Sequence, residues 1–141
     1  MRKHKLGTRS LKSLRGVHPD LVRVVKRALK ISPCDFTVIE GCRTYARQKM
    51  LKASGASKTL RSRHIPSGGG PGHAVDIVPW INGTVDWNDY GNFAAVGHAM
   101  LVAANELGVA LTWGAGRMYG GHWSNKFNDM PHFQLSRRFY P

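Results

Sequence analysis

The chain has no long apolar run. Ala94-Ala95-Val96 is broken by Gly97 and His98, and Met100 to Ala104 stops at Asn105. Nothing approaches the roughly 18 consecutive apolar residues of a membrane span, so no transmembrane segment is expected. The start, Met1-Arg2-Lys3-His4-Lys5, is basic, but Leu11, Leu14 and Val17 are then interleaved with Lys12, Arg15 and His18. Without an apolar core behind the basic residues, no secretory signal peptide is expected. Cysteine is scarce too. Cys34 and Cys42 are the only two, which excludes a disulfide-stapled scaffold, and the strand between them would hold them roughly 26 Å apart, beyond the ~7 Å of a disulfide. Two unpaired thiols suit synthesis in a reducing cytoplasm. Internal repeats are absent. The 141 residues, 42% hydrophobic and 21% charged, fit one globular domain with a core of its own rather than a disordered chain.

Acids are the other scarce class: eight Asp and Glu against 21 Lys and Arg, for a net charge of +13. The imbalance is confined to the front. Residues 1–63 hold 17 basic residues and three acids, a net +14, whereas residues 64–141 are at −1. Such a front half seeks a polyanion: nucleic acid, an anionic membrane face or a cell-wall polymer. Neither zinc-finger spacing nor an RNA-recognition aromatic signature is present. A nucleic-acid-binding protein would account for the charge and leave the acids and histidines described below unexplained.

Residues 1–17 are expected to form a loosely ordered basic arm. His18-Pro19 opens a helix with Pro in its first turn, and Leu21, Val24, Val25, Ala28 and Leu29 make an apolar stripe at helical spacing up to Ser32-Pro33. Phe36–Glu40 is a strand, Thr44 caps a helix running to about Ala53, and Gly55 stops it. Residues 54–73 form a long polar loop. Ala74–Val78 is a buried strand, Asn82-Gly83 a tight turn, and Asp89 to Leu107 a helix stopped by Gly108. Val109–Trp113 and His132–Leu135 are strands, separated by a Gly- and aromatic-rich stretch. The order predicts an α+β fold with a small, mostly antiparallel sheet flanked by helices.

Two of the few acids stand near histidines. Ser62-Arg63-His64 is followed by Gly72-His73-Ala74-Val75-Asp76, and Asp129-Met130-Pro131-His132 runs into Phe133-Gln134-Leu135. Two imidazoles and one carboxylate, His64, Asp76 and His132, are a proper ligand set for Zn²⁺ with one position open for water. An acid or base is needed beside such a centre, and Asp129 reaches it from the same turn as His132. On the residues alone, His64 also suits a surface loop, Asp76 suits a strand-end cap, and His73 or His122 could replace either histidine.

The segments Ser62-x-His64, Gly72-x-Ala74-x-Asp76 and Asp129-x-x-His132 resemble the VanY-like zinc peptidases, the family of D-Ala-D-Ala carboxypeptidases and L-alanyl-D-glutamate peptidases. Glu40-Gly41-Cys42-Arg43-Thr44 is similar to that family's E-G-x-R-T, and Trp113-Gly114 with Asp129 to Leu135 to its W-G and D-x-P-H-F-E-L segments. The resemblance covers about residues 18–136 and implies a D,D-peptidase/Hedgehog-like fold, with residues 1–141 one peptidase domain. It implies His64, Asp76 and His132 as zinc ligands, Asp129 as catalytic acid/base, Arg43 as a contact to substrate or oxyanion, and Ser62 as a supporting polar residue. Seven residues, 65–71, stand between His64 and Gly72 where the family usually has two. Trp113-Gly114-Ala115-Gly116-Arg117 lacks the Asp of W-G-G-D-W, and Gln134 stands where Glu is common. The resemblance is strongest to short phage endolysins. It implies a monomer, made in the host cytoplasm, that cuts the L-Ala–D-Glu bond of periplasmic peptidoglycan, with the basic half docking on anionic envelope. A D,D- or L,D-carboxypeptidase is the alternative within the family.

Overall fold

A computed structural model describes residues 4–55, 62–65, 70–115, 118–119, 122–123 and 129–141. Arg2, Lys3, Arg117 and residues 66–69 of the long loop lie outside them, as does the side chain of His122. Among the described residues, four helices and six strands follow in the order α1 (Thr8–Ser13), α2 (Pro19–Ile31), β1 (Phe36–Glu40), α3 (Tyr45–Ala53), β2 (Ala74–Pro79), α4 (Tyr90–Leu107), β3 (Leu111–Trp113), β4 (Met118–Tyr119), β5 (His122–Trp123) and β6 (His132–Leu135). Strands β1, β2, β6 and β3 form one antiparallel sheet in that spatial order, and β4 and β5 form a separate two-stranded ribbon. No helix among the described residues is long and apolar enough to cross a membrane.

The helix ends follow local chemistry. His18 caps α2, its Nδ1 accepting from the Asp20 amide at 3.0 Å with Pro19 in the first turn. Thr44 caps α3 by accepting from the Arg47 amide. Asp89 does the same for α4 through Asn92, and Gly108 closes α4 at φ 68°. Residues Asn82 and Gly83 both have positive φ, as a tight hairpin turn requires.

Sheet alternation divides the molecule. Val38, Val75, Ile77, Phe133 and Leu135 face the core with the apolar stripes of α2 and α4, while Asp76, His132 and Gln134 lie on the opposite face. Register fixes this: Asp76 pairs with His132, and Ala74 with Gln134.

The front segment is basic as expected, but from residue 8 onward it is not a loose arm. Helix α1 lies along the free edge of β1, where the buried Ser10 hydroxyl accepts the Val38 N–H at 3.0 Å. Leu14 and Val17 enter the core. That contact satisfies an edge donor which would otherwise be open, and it holds a six-residue helix too short to persist alone. The other end of the chain folds back onto α2. Tyr140 donates its hydroxyl to Asp20 at 2.7 Å, and Arg63 donates to the carbonyls of Leu135 and Tyr140. Both cysteines are free.

Candidate metal centre

Three separate pieces of chain build the site. Asp76 comes from the middle of β2. His132 opens β6 directly opposite it. His64 comes from the 62–65 turn, which is clipped to both neighbours: the Arg43 amide donates to the His64 carbonyl at 2.7 Å, and the His73 amide donates to the Arg63 carbonyl at 2.8 Å. Ser62 supports this turn from within, its Oγ accepting from the His64 amide at 3.2 Å. Gly41 is required where β1 leaves the sheet, because a Cβ there would overlap the Ser13 carbonyl of α1.

The donor atoms of His64, Asp76 and His132 lie within 4.8 Å of one another, the group of this kind found among the described residues. His64 Nε2 is 3.3 Å and His132 Nδ1 3.1 Å from the same Asp76 oxygen, Oδ1. The outer nitrogens are also engaged. His64 Nδ1 is 2.8 Å from the Gly41 carbonyl, and His132 Nε2 is 2.9 Å from Gln134 Oε1. A carbonyl only accepts, so His64 carries its proton on Nδ1 and turns Nε2 inward. The Gln134 oxygen places the His132 proton on Nε2 in the same way. With protons also on the inward nitrogens both rings donate to Asp76; once those protons leave, two imidazole lone pairs and a carboxylate converge on one point, a donor set that fits a divalent cation.

Electrostatics agree. Burial alone would raise the Asp76 carboxyl, but hydrogen bonds from His132 and His64, together with their charges, hold it far below the usual carboxylate range. For His132, burial acts downward and is outweighed by Asp76, Gln134 and Asp129, so its pKa rises. Asp129 is raised, first by burial and then by the Asp76 charge, against the opposing pull of His132 and His64.

Asp129 sits on the turn before β6. That turn is tied down by four bonds: Gly114 N–H to the His132 carbonyl, Asp129 N–H to the Gly114 carbonyl, His132 N–H to the Asp129 carbonyl, and Trp113 Nε1–H to the Met130 carbonyl. Gly114 has no room for a side chain, since a Cβ would overlap the Asp129 carbonyl oxygen.

Arg43 is buried and turned inward. Its Nε donates to Glu40 at 3.0 Å, Nη1 donates to the buried Gln48 at 2.6 Å, and Nη2 is 3.8 Å from Asp76 Oδ2. His73 is buried away from the centre, between His18 and Tyr140. Sequence reasoning noted Gln134 only as a departure and missed its contact with His132. The i, i+2 spacing on one strand face was the available signal.

The fold and site define an α+β protein carrying a two-histidine, one-carboxylate group able to hold a metal ion, with an acid beside it. A family model of phage L-alanyl-D-glutamate peptidases matches residues 2–136, and the chain belongs to that family. It is 43% identical over 114 residues to the L-alanyl-D-glutamate peptidase of Escherichia phage T5, covering 79% of this chain and 80% of that protein. Over 106 residues it is 34% identical to the L-alanyl-D-glutamate peptidase of Listeria phage A118, covering 75% of this chain and 32% of that longer protein. The crystal structure of the Serratia marcescens L-Ala D-Glu endopeptidase ChiX superposes with a TM-score of 0.80 at 43% identity, covering 99% of this chain and 96% of that one.

Proposed function

We propose that this protein is a zinc-dependent peptidoglycan peptidase, an endolysin that hydrolyses the amide bond between L-Ala and D-Glu of the stem peptide. The observation that carries the reading is the convergence of His64, Asp76 and His132 beside Asp129 in a chain of this family. His64 and His132 would hold zinc through Nε2 and Nδ1, and Asp76 through its carboxylate. When bound, the metal supplies Lewis acidity, which makes water acidic near neutral pH and polarises a carbonyl. Asp129 is the acid/base. It accepts a proton from the attacking water and passes it to the amine of D-Glu as the C–N bond breaks. Its upward-shifted pKa suits both halves of that task.

Arg43 is a positioning residue, facing Glu40 with Nε and Asp76 with Nη2 while Nη1 is tied to Gln48. Ser62 positions the His64 turn. The whole chain acts as one peptidase domain, released to reach periplasmic peptidoglycan, with the basic front half adhering to anionic envelope.

The test is to digest purified peptidoglycan with the zinc-loaded protein and identify the new ends by mass spectrometry. A new N-terminal D-Glu on the released peptide is expected. Release of free D-Ala with the L-Ala–D-Glu bond intact would make the protein a carboxypeptidase instead.

A further inference from the structure

A cut between L-Ala and D-Glu leaves an anionic stretch on the amine side, with the free carboxylate of D-Glu followed by those of the residues beyond it. The arginines nearest the centre in sequence do not meet it. Arg43 is committed to Glu40, Gln48 and Asp76, and Arg63 is buried under the chain end, bonded to two carbonyls. The cations on offer come from a part of the chain with no place in the chemistry so far.

A groove of about 360 Å³ runs between α1 and the end of β1, lined by Arg9, Lys12 and Arg15 on one side and by Glu40, Gly41 and Cys42 on the other. All three basic side chains are exposed, and none pairs with an acid among the described residues. Its single acid is already taken, since Glu40 lies 3.0 Å from Arg43 Nε and 3.6 Å from Arg47 Nε. Two of its lining residues, Glu40 and Gly41, also touch the elements of the metal centre. The Gly41 carbonyl holds His64 Nδ1 at 2.8 Å, and Glu40 is the register partner of Asp76. A peptide advances about 3.5 Å per residue, so carboxylates one to three residues past the cut bond come within roughly 10 Å of the centre.

We propose that Arg9, Lys12 and Arg15 form an anion subsite that takes the carboxylates of the stem peptide on the amine side of the cut bond. The subsite rests on the peptidase reading above and adds a direction to it: the substrate crosses the centre with its acidic end over β1 and α1. This makes the basic charge a device for aligning substrate, distinct from loose adhesion to the envelope. Exposed ion pairs are individually weak, so the effect is a sum over three cations acting on a flexible ligand.

The test compares two soluble stem peptides, one with a free D-Glu α-carboxylate and one with that group amidated, on wild type, on K12Q/R15Q and on the control K26Q/K30Q, whose residues lie on α2. Thermal melts verify that each variant is folded. Wild type should favour the free acid by roughly five- to tenfold in kcat/KM, mainly through KM. The K12Q/R15Q variant should lose that preference, and the control should keep it. Equal cleavage of both peptides by wild type overturns the subsite while leaving the peptidase reading intact. So does an equal loss on both peptides in K12Q/R15Q. An unchanged preference with weaker pelleting on whole sacculi assigns the cations to envelope adhesion and also overturns it. If zinc-loaded wild type cleaves neither peptide, the peptidase reading fails and takes the subsite with it.

Discussion

Replacing Gly114 by Ala tests the coupling between the sheet and the reacting groups. The new Cβ would overlap the Asp129 carbonyl oxygen and stand 3.1 Å from the β-carbons of both Asp129 and His132. Carbon atoms rest at about 3.5–4.0 Å, so relief requires the turn to move by roughly 0.5–1 Å. The obstacle is backbone and cannot swing aside like the tip of a side chain. Two of the bonds that would have to give, Gly114 N–H to His132 at 2.7 Å and Asp129 N–H to Gly114 at 3.1 Å, also set the position of Asp129 relative to His132. Overpacking of this kind costs about 1–3 kcal/mol, which for a chain of this size lowers the melting temperature by roughly 3–9 °C. A displacement near 1 Å at a catalytic group costs about 10²-fold in rate. Purified G114A should therefore remain folded, melt several degrees lower, and turn over a soluble stem peptide about a hundredfold more slowly. The internal control is G91A, in the first turns of α4, where the new Cβ meets only Asp89 Oδ1 at 3.9 Å and the helix gains by up to about 1 kcal/mol. If G114A matches wild type in both melting and turnover, the 129–132 turn is not held as tightly as described, and the account of how Asp129 is positioned is wrong.

The remaining predictions address the centre more directly. His132→Ala should lose zinc and activity together, checked by elemental analysis and turnover; retention of full zinc would move the ligand role to another histidine. Asp129→Asn should keep zinc and fold but drop turnover by roughly 10²-fold or more, measured on the same peptide. Gln134→Ala should weaken zinc affinity by about 10–100-fold in a competition titration, with Gln134→Glu recovering it. Zinc affinity should also fall on acidification. A proton competes with the metal for His132, whose pKa lies above the ordinary histidine value, so the decline begins above pH 6.5 and deepens as pH falls. An affinity flat between pH 8 and 5.5 would contradict that ligand.

Local signals in the sequence located most elements because capping and turn chemistry act within a few residues. His18-Pro19, Thr44, Asn82-Gly83 and Gly108 all do what their side chains or backbone freedom dictate. The order in the basic arm from residue 8 onward is not legible in the sequence, because what orders α1 is remote: a hydroxyl on Ser10 and an edge amide on Val38, 28 positions away. The face of α4 was only partly legible. That helix is apolar nearly all round, so hydropathy alone does not reveal that Leu101 is exposed while Ala99 and Ala103 are buried. The three candidate metal donors are legible from residue type and order, and the structure brings them together. The inward turn of Arg43 was not legible, because nothing in its neighbours' spacing reveals that Gln48 is buried against it.

Strand β6 comes last in chain order but sits inside the sheet, between β2 and β3. During synthesis, β1, β2 and β3 are all made before the strand that joins β2 to β3 exists. The gap is filled only by residues 132–135, which bring His132 with them. A nascent or truncated chain that stops short of this strand has neither a continuous sheet nor a complete donor set, however well its helices have formed. Catalytic competence thus arrives in one late, cooperative step of chain growth. A wall-degrading activity built on this topology stays silent in every unfinished copy.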